Sequence, residues 1–301
     1  MKRGGFFLTI LLLAAALQAQ YFFYDNRYYD AGLLLEIGVG IGGMNALTDL
    51  GGKKGDGRGF IKDLNLKNTK PSFSASLTAT YRSAVAFRVE FTAGNIVSYD
   101  SILKNVASTT KRYDRNLSFR SPVVELMAGA EIHPLFFIPR EEEPPRASPY
   151  ILGGAGYFRF NPQAKLEGIW HDLHPLRLEG QGFAEYPGRK PYKLNQFNFA
   201  AGIGIRYEIN HLLNVRFEII HRKLNTDYLD DVSTRYINPV YFSNYLSAAQ
   251  AALAARLYDR RGELNPNHTP KFDERGDPED NDSYFTVMLK IGFTIRQKIR
   301  N

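Results

Sequence analysis

The chain has no cysteine, which excludes disulfide staples, thiolate metal sites and a thiol nucleophile. Beyond its first twenty residues it has no run of about 18 apolar residues, the length a membrane-spanning helix needs. It also lacks a basic block: the net charge of +7 is spread along the sequence, without the basic-aromatic clustering of a nucleic-acid footprint. The hydrolase signatures G-x-S-x-G and H-E-x-x-H are absent. The mean hydropathy of -0.31 resembles that of a soluble protein. A β-barrel gives the same average, because only alternate strand residues face lipid and the loops are polar.

What is present begins with "MKRGGFFLTILLLAAALQAQ", where Lys2 and Arg3 precede an apolar stretch from Phe6 to Leu17. This pattern predicts a secretory signal peptide over residues 1–19, cleaved after Ala19. Residues 20–31 then form a periplasmic N-terminal segment, and residues 32–301 form an outer-membrane β-barrel domain.

The barrel reading comes from alternation. In "QFNFAAGIGIRYEI", Phe197, Phe199, Ala201, Ile203, Ile205, Tyr207 and Ile209 form one row. Small or polar residues form the other, a half-apolar strand at period two. The pattern recurs from Leu33 to Ile41, Phe73 to Tyr81, Val85 to Ala93, Asn116 to His133, Tyr150 to Asn161, Leu213 to Ile219 and Phe285 to Ile295. About eight strands result, each near the ~9–11 residues that a tilted strand needs to cross a bilayer. In the fourth strand the apolar parity changes near Pro122, which predicts a β-bulge at Ser121-Pro122.

Connections alternate long and short, as expected for a barrel with tight periplasmic turns and long outer loops. The apolar row carries almost no charge. The other row carries both signs: Glu36, Arg82, Arg88, Glu90, Glu125, Glu131, Arg206, Glu208, Arg216, Glu218, Lys290 and Arg296. An eight-stranded barrel is only wide enough for its own side chains, so these charges are expected to pair across a plugged lumen. In the last connection, "SNYLSAAQAALAARLYDRR" predicts a short amphipathic helix capped at Ser243 or Asn244 and packed over the barrel mouth. The following "HTPKFDERGDPEDNDS" reads as a mobile segment. The fold class is thus all-β, a transmembrane barrel with long outer loops and one short helix in the last of them.

Several stretches carry a family resemblance: "LEIGVGIGGMNALTDL", "RNLSFRSPVVELMAGAEIHPLFF", "SPYILGGAGYFRFNPQAKLEGIW", "EGQG" and "TDYLDDVSTRYINP". Together these resemble the PorG-like outer-membrane barrels associated with type IX secretion. The resemblance implies a non-enzymatic component seated in outer-membrane lipid, associated with a periplasmic ring lipoprotein and its partner. It also implies contact through Gln20–Ala31, the turns near Ser83 and His211, "PREEEPPR" and the tail "RQKIRN".

No cofactor is called for, and no catalytic residue. Asp227, Asp230 and Asp231 of "TDYLDDVS" are weak candidates for a metal site through their carboxylate oxygens. They serve equally as caps or partners of arginine. The alternative to a secretion role is a small OmpA-like passive barrel for envelope integrity, adhesion or small-solute passage. A lipid-modifying enzyme is a third reading. Its mark would be a Ser–His pair on neighbouring strands near the outer rim, and "HDLH" (His171, His174) is the densest histidine motif.

Overall fold

Alternating side chains at the predicted places build long antiparallel strands. The computed structural model describes residues 32–51, 66–104, 110–138, 145–269 and 272–295. The eight long strands are β1 (Leu33–Leu47), β2 (Lys70–Tyr81), β3 (Val85–Tyr99), β4 (Ser118–Ile132), β5 (Ala147–Phe160), β8 (Asn195–Glu208), β9 (Leu213–Leu224) and β10 (Ser283–Ile295). Each pairs with its neighbours in the chain, and β1 closes the ring by pairing with β10. The fifth connection contributes an additional hairpin, β6 (Gln163–Leu166) and β7 (Ile169–Asp172). It stands outside the ring and meets β4 at the pair Arg120–Gln163. Its two-residue turn, Glu167 and Gly168, has φ of +50° and +86°, the mirror-image turn that suits strand twist.

The registers define the barrel. Starting at Glu36 and stepping pair by pair through Thr78, Arg88, Gly129, Gly154, Ala200, Arg222 and Tyr284, the path returns to β1 at Ala46. A stagger of this size tilts the strands by about 35–45° and leaves an interior that side chains fill.

The two faces separate cleanly. Outward residues such as Ile41, Phe73, Phe197 and Ile203 are exposed, each by more than 60%. On β10 the outward apolar row runs from Phe285 to Ile295, about 25 Å of height at this tilt. Polar residues end the band at the loop end: Asn95, Arg159 and Lys223. Tyr81 and Tyr207 mark the turn end. An exposed apolar belt of this extent is stable only against lipid, and the strands provide the crossing.

The predicted bulge in β4 is absent. The strand pairs with β3 without interruption from Tyr99–Ser118 to Val85–Ile132, and burial alternates throughout. Phe119 points inward, as do Met44, Ile96, Val123, Phe158, Phe160 and Tyr284, and these residues form a buried apolar core in the mouth. Above the lipid band the solvent lies outside, so polarity inverts while parity does not. The change of pattern at Pro122 marks the membrane boundary.

A second apolar core lies in the loops. It joins Leu166, Leu173, Leu176 and Phe183 of the fifth connection to Tyr236, Phe242, Ala254 and Leu257 of the last. The predicted helix starts later than expected, at Ala248, and runs to Leu257. Its cap is Ser247, which forms a capping box with Gln250. Ser243 and Asn244 belong to a separate single turn, Phe242–Tyr245. The helix buries Ala254 and Leu257 in the loop core rather than over the strands. The signal segment, residues 20–31, "EEE" at 141–143 and the tail from residue 296 lie outside the described residues.

Candidate functional site

The inward row concentrates charge at the barrel's middle. Five carboxylates, Glu36, Glu90, Glu125, Glu131 and Glu218, are buried there with five cations, Arg88, Arg206, Arg216, Arg222 and Lys290. Arg88 Nη1 donates to Glu218 at 2.7 Å and to Glu90 at 3.1 Å, and its Nη2 pairs with Glu131. Arg216 bridges Glu36 at 2.7 Å and Glu131 at 2.9 Å. Lys290 joins Glu90 at 2.5 Å and also pairs with Glu218. Nearer the mouth, Arg222 meets Glu125 at 3.0 Å, where Asn198 and the Tyr284 hydroxyl also donate. Tyr150 donates to Glu218 at 2.5 Å. Its ring fills the space beside Gly204, where a Cβ would sit 2.4 Å from the ring carbon. The inward glycine here makes room for an aromatic ring, and the lumen at this level is packed and ion-paired.

At the loop end, two motifs singled out in the sequence form one latch. Glu179 of "EGQG" is fully buried. It accepts from the backbone amides of Ser233 (3.0 Å) and Thr234 (2.8 Å), the Thr234 hydroxyl (2.7 Å) and Arg275 Nη1 (2.9 Å). Gly180 turns the chain at φ +70°, and a Cβ there would lie 2.7 Å from the Tyr186 ring. Arg275 is 2% exposed, and its carbonyl accepts from Arg115 at 2.5 Å. The segment expected to be mobile is therefore anchored at its centre by a buried ion pair.

The candidate carboxylates of "TDYLDDVS" have different neighbours. Asp230 accepts from the amides of Val232 (2.9 Å) and Leu50 (3.3 Å). Asp231, in the left-handed region at φ +65°, accepts from Tyr192 at 2.7 Å. Asp227 and Asp282 face other carboxylates, with Asp49 and Asp230 close to both. Burial pushes Asp227 up to about 9, with Asp49 and Asp230 adding repulsion. Burial and Asp49 take Asp230 to about 8. Burial likewise raises Asp231 to about 7, against the pull of Arg275, and Asp282 well above the carboxylate range. Among the described residues, no group of three or more His, Cys, Asp or Glu side chains is arranged to hold a metal ion.

Sequence reasoning singled out "EGQG" and "TDYLDDVS" but not the bonds between them, nor the part played by Asp49, Arg115, Arg275 and Asp282. Each contact spans tens of residues and leaves no local pattern.

A Ser–His pair exists between β5 and the residue that follows β4, but at the turn end. Ser148 Oγ lies 3.1 Å from His133 Nδ1, and His133 Nε2 lies 3.2 Å from Glu131. All three side chains are buried, and Glu131 is held by Arg88 and Arg216. The arrangement packs the lumen floor. In "HDLH", His174 Nε2 lies 2.9 Å from the Tyr192 carbonyl, and His171 sits on β7.

No protein-family model and no curated protein matches the chain. Solved structures resemble it. The attachment invasion locus protein Ail of Yersinia pestis, solved with the heparin analogue sucrose octasulfate, is 11% identical with a TM-score of 0.38, covering 87% of this chain and 99% of that one. Neisserial surface protein A is 9% identical with a TM-score of 0.34, over 88% of this chain and 98% of that one. Outer membrane protein W of E. coli is 12% identical with a TM-score of 0.33, over 86% and 97%. Strand order, closing register and the exposed apolar belt make the chain a closed antiparallel eight-stranded transmembrane β-barrel.

Proposed function

We propose that this barrel resides in the outer membrane and acts without catalysis, anchoring or assembling a type IX secretion complex. The observation that carries the non-catalytic, non-conducting part is the lumen. Five acids and five bases neutralise one another there, with Tyr150 packed among them. A solute path would have to break buried ion pairs, each costly once one partner is lost. The secretion role rests on the PorG-like resemblance, and the latch between "EGQG" and "TDYLDDVS" gives its two most distinctive motifs a common structural task. In this reading the loop end faces the exterior. The tight turns, with exposed Arg82 and His211, face the periplasmic ring lipoprotein and its partner.

The test is affinity isolation of the tagged protein from its native host in mild detergent. The ring lipoprotein is expected at a fixed ratio, and Arg82→Glu with His211→Glu is expected to reduce it. A barrel recovered alone would leave only the likeness of fold, and the passive-barrel reading would replace this one.

A further inference from the structure

The lipid belt ends differently on the two sides of the barrel. At the loop end, the outward rows of β10, β1, β2 and β3 pass the edge of the belt at Ser283, Asn45, Pro71 and Asn95, none of them charged. From β4 to β9 they pass it at cations. Arg159 follows Tyr157 in the outward row of β5, and Lys223 follows His221 in that of β9. Arg120 stands two residues beyond Pro122 on β4. Lys193 leads into β8 between Tyr192 and Leu194, which pack on the mouth core, and is exposed on the outward side. The ladders set the spacing: Arg159 pairs with Val124 on one side and with Asn195, two residues from Lys193, on the other.

The protein itself leaves these charges unused. Among the described residues, the exposed side chains of Arg159, Lys193 and Lys223 have no carboxylate partner. The one acid on the adjoining face, Asp172, accepts from Asn161 at 3.0 Å and from Gln163 at 2.6 Å. Arg120 is held in place: its Nε donates to Gln163 at 2.8 Å, and its guanidinium lies 4.1 Å from the centre of the Trp170 ring. Directly below Arg159 and Asn195, the exposed rings of Tyr157 and Phe197 pack at 5.0 Å. Cations that only snorkel to water would serve on any strand. Gathered on one side, unpaired and next to lipid, they match a negative charge that the lipid carries.

We propose that this side of the barrel holds an anionic lipid of the loop-end leaflet by its headgroup phosphate. The acyl chains lie along the exposed row that includes Tyr157, Phe197 and Phe199, and the phosphate meets Arg159 and Lys193 above it, with Lys223 beside. Arginine offers a planar fork for phosphate oxygens, and lysine a mobile point charge. The inference rests on the membrane crossing and stands apart from the secretion reading.

The test is native mass spectrometry of the folded, full-length protein in an uncharged detergent, incubated with equal amounts of phosphatidylglycerol and phosphatidylcholine of matched chains. Phosphatidylglycerol is expected to stay bound in preference, and excess inorganic phosphate is expected not to displace it. Arg159→Gln, Lys193→Gln and Lys223→Gln should each cut that preference about fivefold, with heat-modified mobility unchanged. Arg82→Gln with Arg146→Gln removes two exposed cations at the turn end and should leave the preference as it was. Equal retention of both lipids would overturn the proposal, as would a preference untouched by the loop-end substitutions. Loss of preference in the turn-end variant would place the lipid in the other leaflet, and displacement by inorganic phosphate would mark a site for free anions; either result also overturns it.

Discussion

The lumen and the loop-end cap both bury carboxylates, and they do it in different ways. In the lumen every glutamate meets a cation: Glu36 with Arg216, Glu90 with Lys290, Glu125 with Arg222, Glu131 with Arg88 and Glu218 with Arg88. In the cap, Asp227 and Asp282 are gathered with Asp49 and Asp230, acid facing acid. Two of the cap's deep acids have a buried arginine of their own, Glu179 in Arg275 and Asp100 in Arg115. A strand ring places inward residues at fixed heights, so opposite charges can be set against one another by register. Loops folded over the mouth bring acids together through the backbone amides they cap. The lumen is therefore held by charge pairing throughout, and the cap by two buried ion pairs beside acids whose burial pushes their pKa values up.

The largest effect that follows is in the lumen. Arg88 touches three glutamates and is 1% exposed. Arg88→Ala leaves that acid cluster short of a cation, and breaking a buried pair in this way costs about 3–5 kcal/mol. The expected outcome is a barrel that unfolds at markedly lower urea in lipid vesicles, read by its gel mobility with and without heating. Stability equal to that of the parent would mean that the network is hydrated and contributes little, and the contrast with the cap would fail.

Next in size is the latch. Glu179→Ala leaves Arg275 buried without its carboxylate and strips two backbone amides of their acceptor. A local loss of about 3 kcal/mol is expected. Because β9 and β10 are held by their own ladders, the barrel should keep its heat-modified mobility while trypsin cuts within residues 225–282. If barrel and cap melt together, they are one cooperative unit.

The same contrast explains what was legible in the sequence. Strand parity gave the eight strands, their faces and most of the lumen charges, because each inward or outward position is a local property of alternation; it missed Arg222, beyond the apolar run of its strand, and took in Arg82, which lies exposed in a turn. Parity misled at Phe119, because an inward side chain is polar beside lipid and apolar above it. The cap was legible only as motifs. Glu179 reaches Ser233 and Arg275 across long stretches of chain, and nothing local to "EGQG" names those partners. The helix start was readable in principle from Ser247 and Gln250, a capping box overshadowed by the earlier Ser243 and Asn244.

The smallest effect, and the sharpest test of the contrast, is pH. Asp227, Asp230 and Asp231 are raised to about 9, 8 and 7, against about 3.9 for aspartate in an unfolded chain. Between those limits the folded cap binds more protons than the unfolded chain. The stability these three acids contribute is therefore fully present below about pH 4 and falls as pH rises towards 9. Amide exchange in residues 225–233 should accelerate with pH beyond its intrinsic base dependence, by up to about tenfold per pH unit for each group still titrating. Asp227→Asn keeps the neutral shape of the protonated acid without needing the proton. It should flatten that dependence and raise cap protection at pH 8, while leaving the exchange of β9 and β10 where it was. Faster exchange in the Asn variant at pH 8 would mean that the Asp227 charge is used rather than suppressed. The cap would then have to be read as ion-paired, like the lumen.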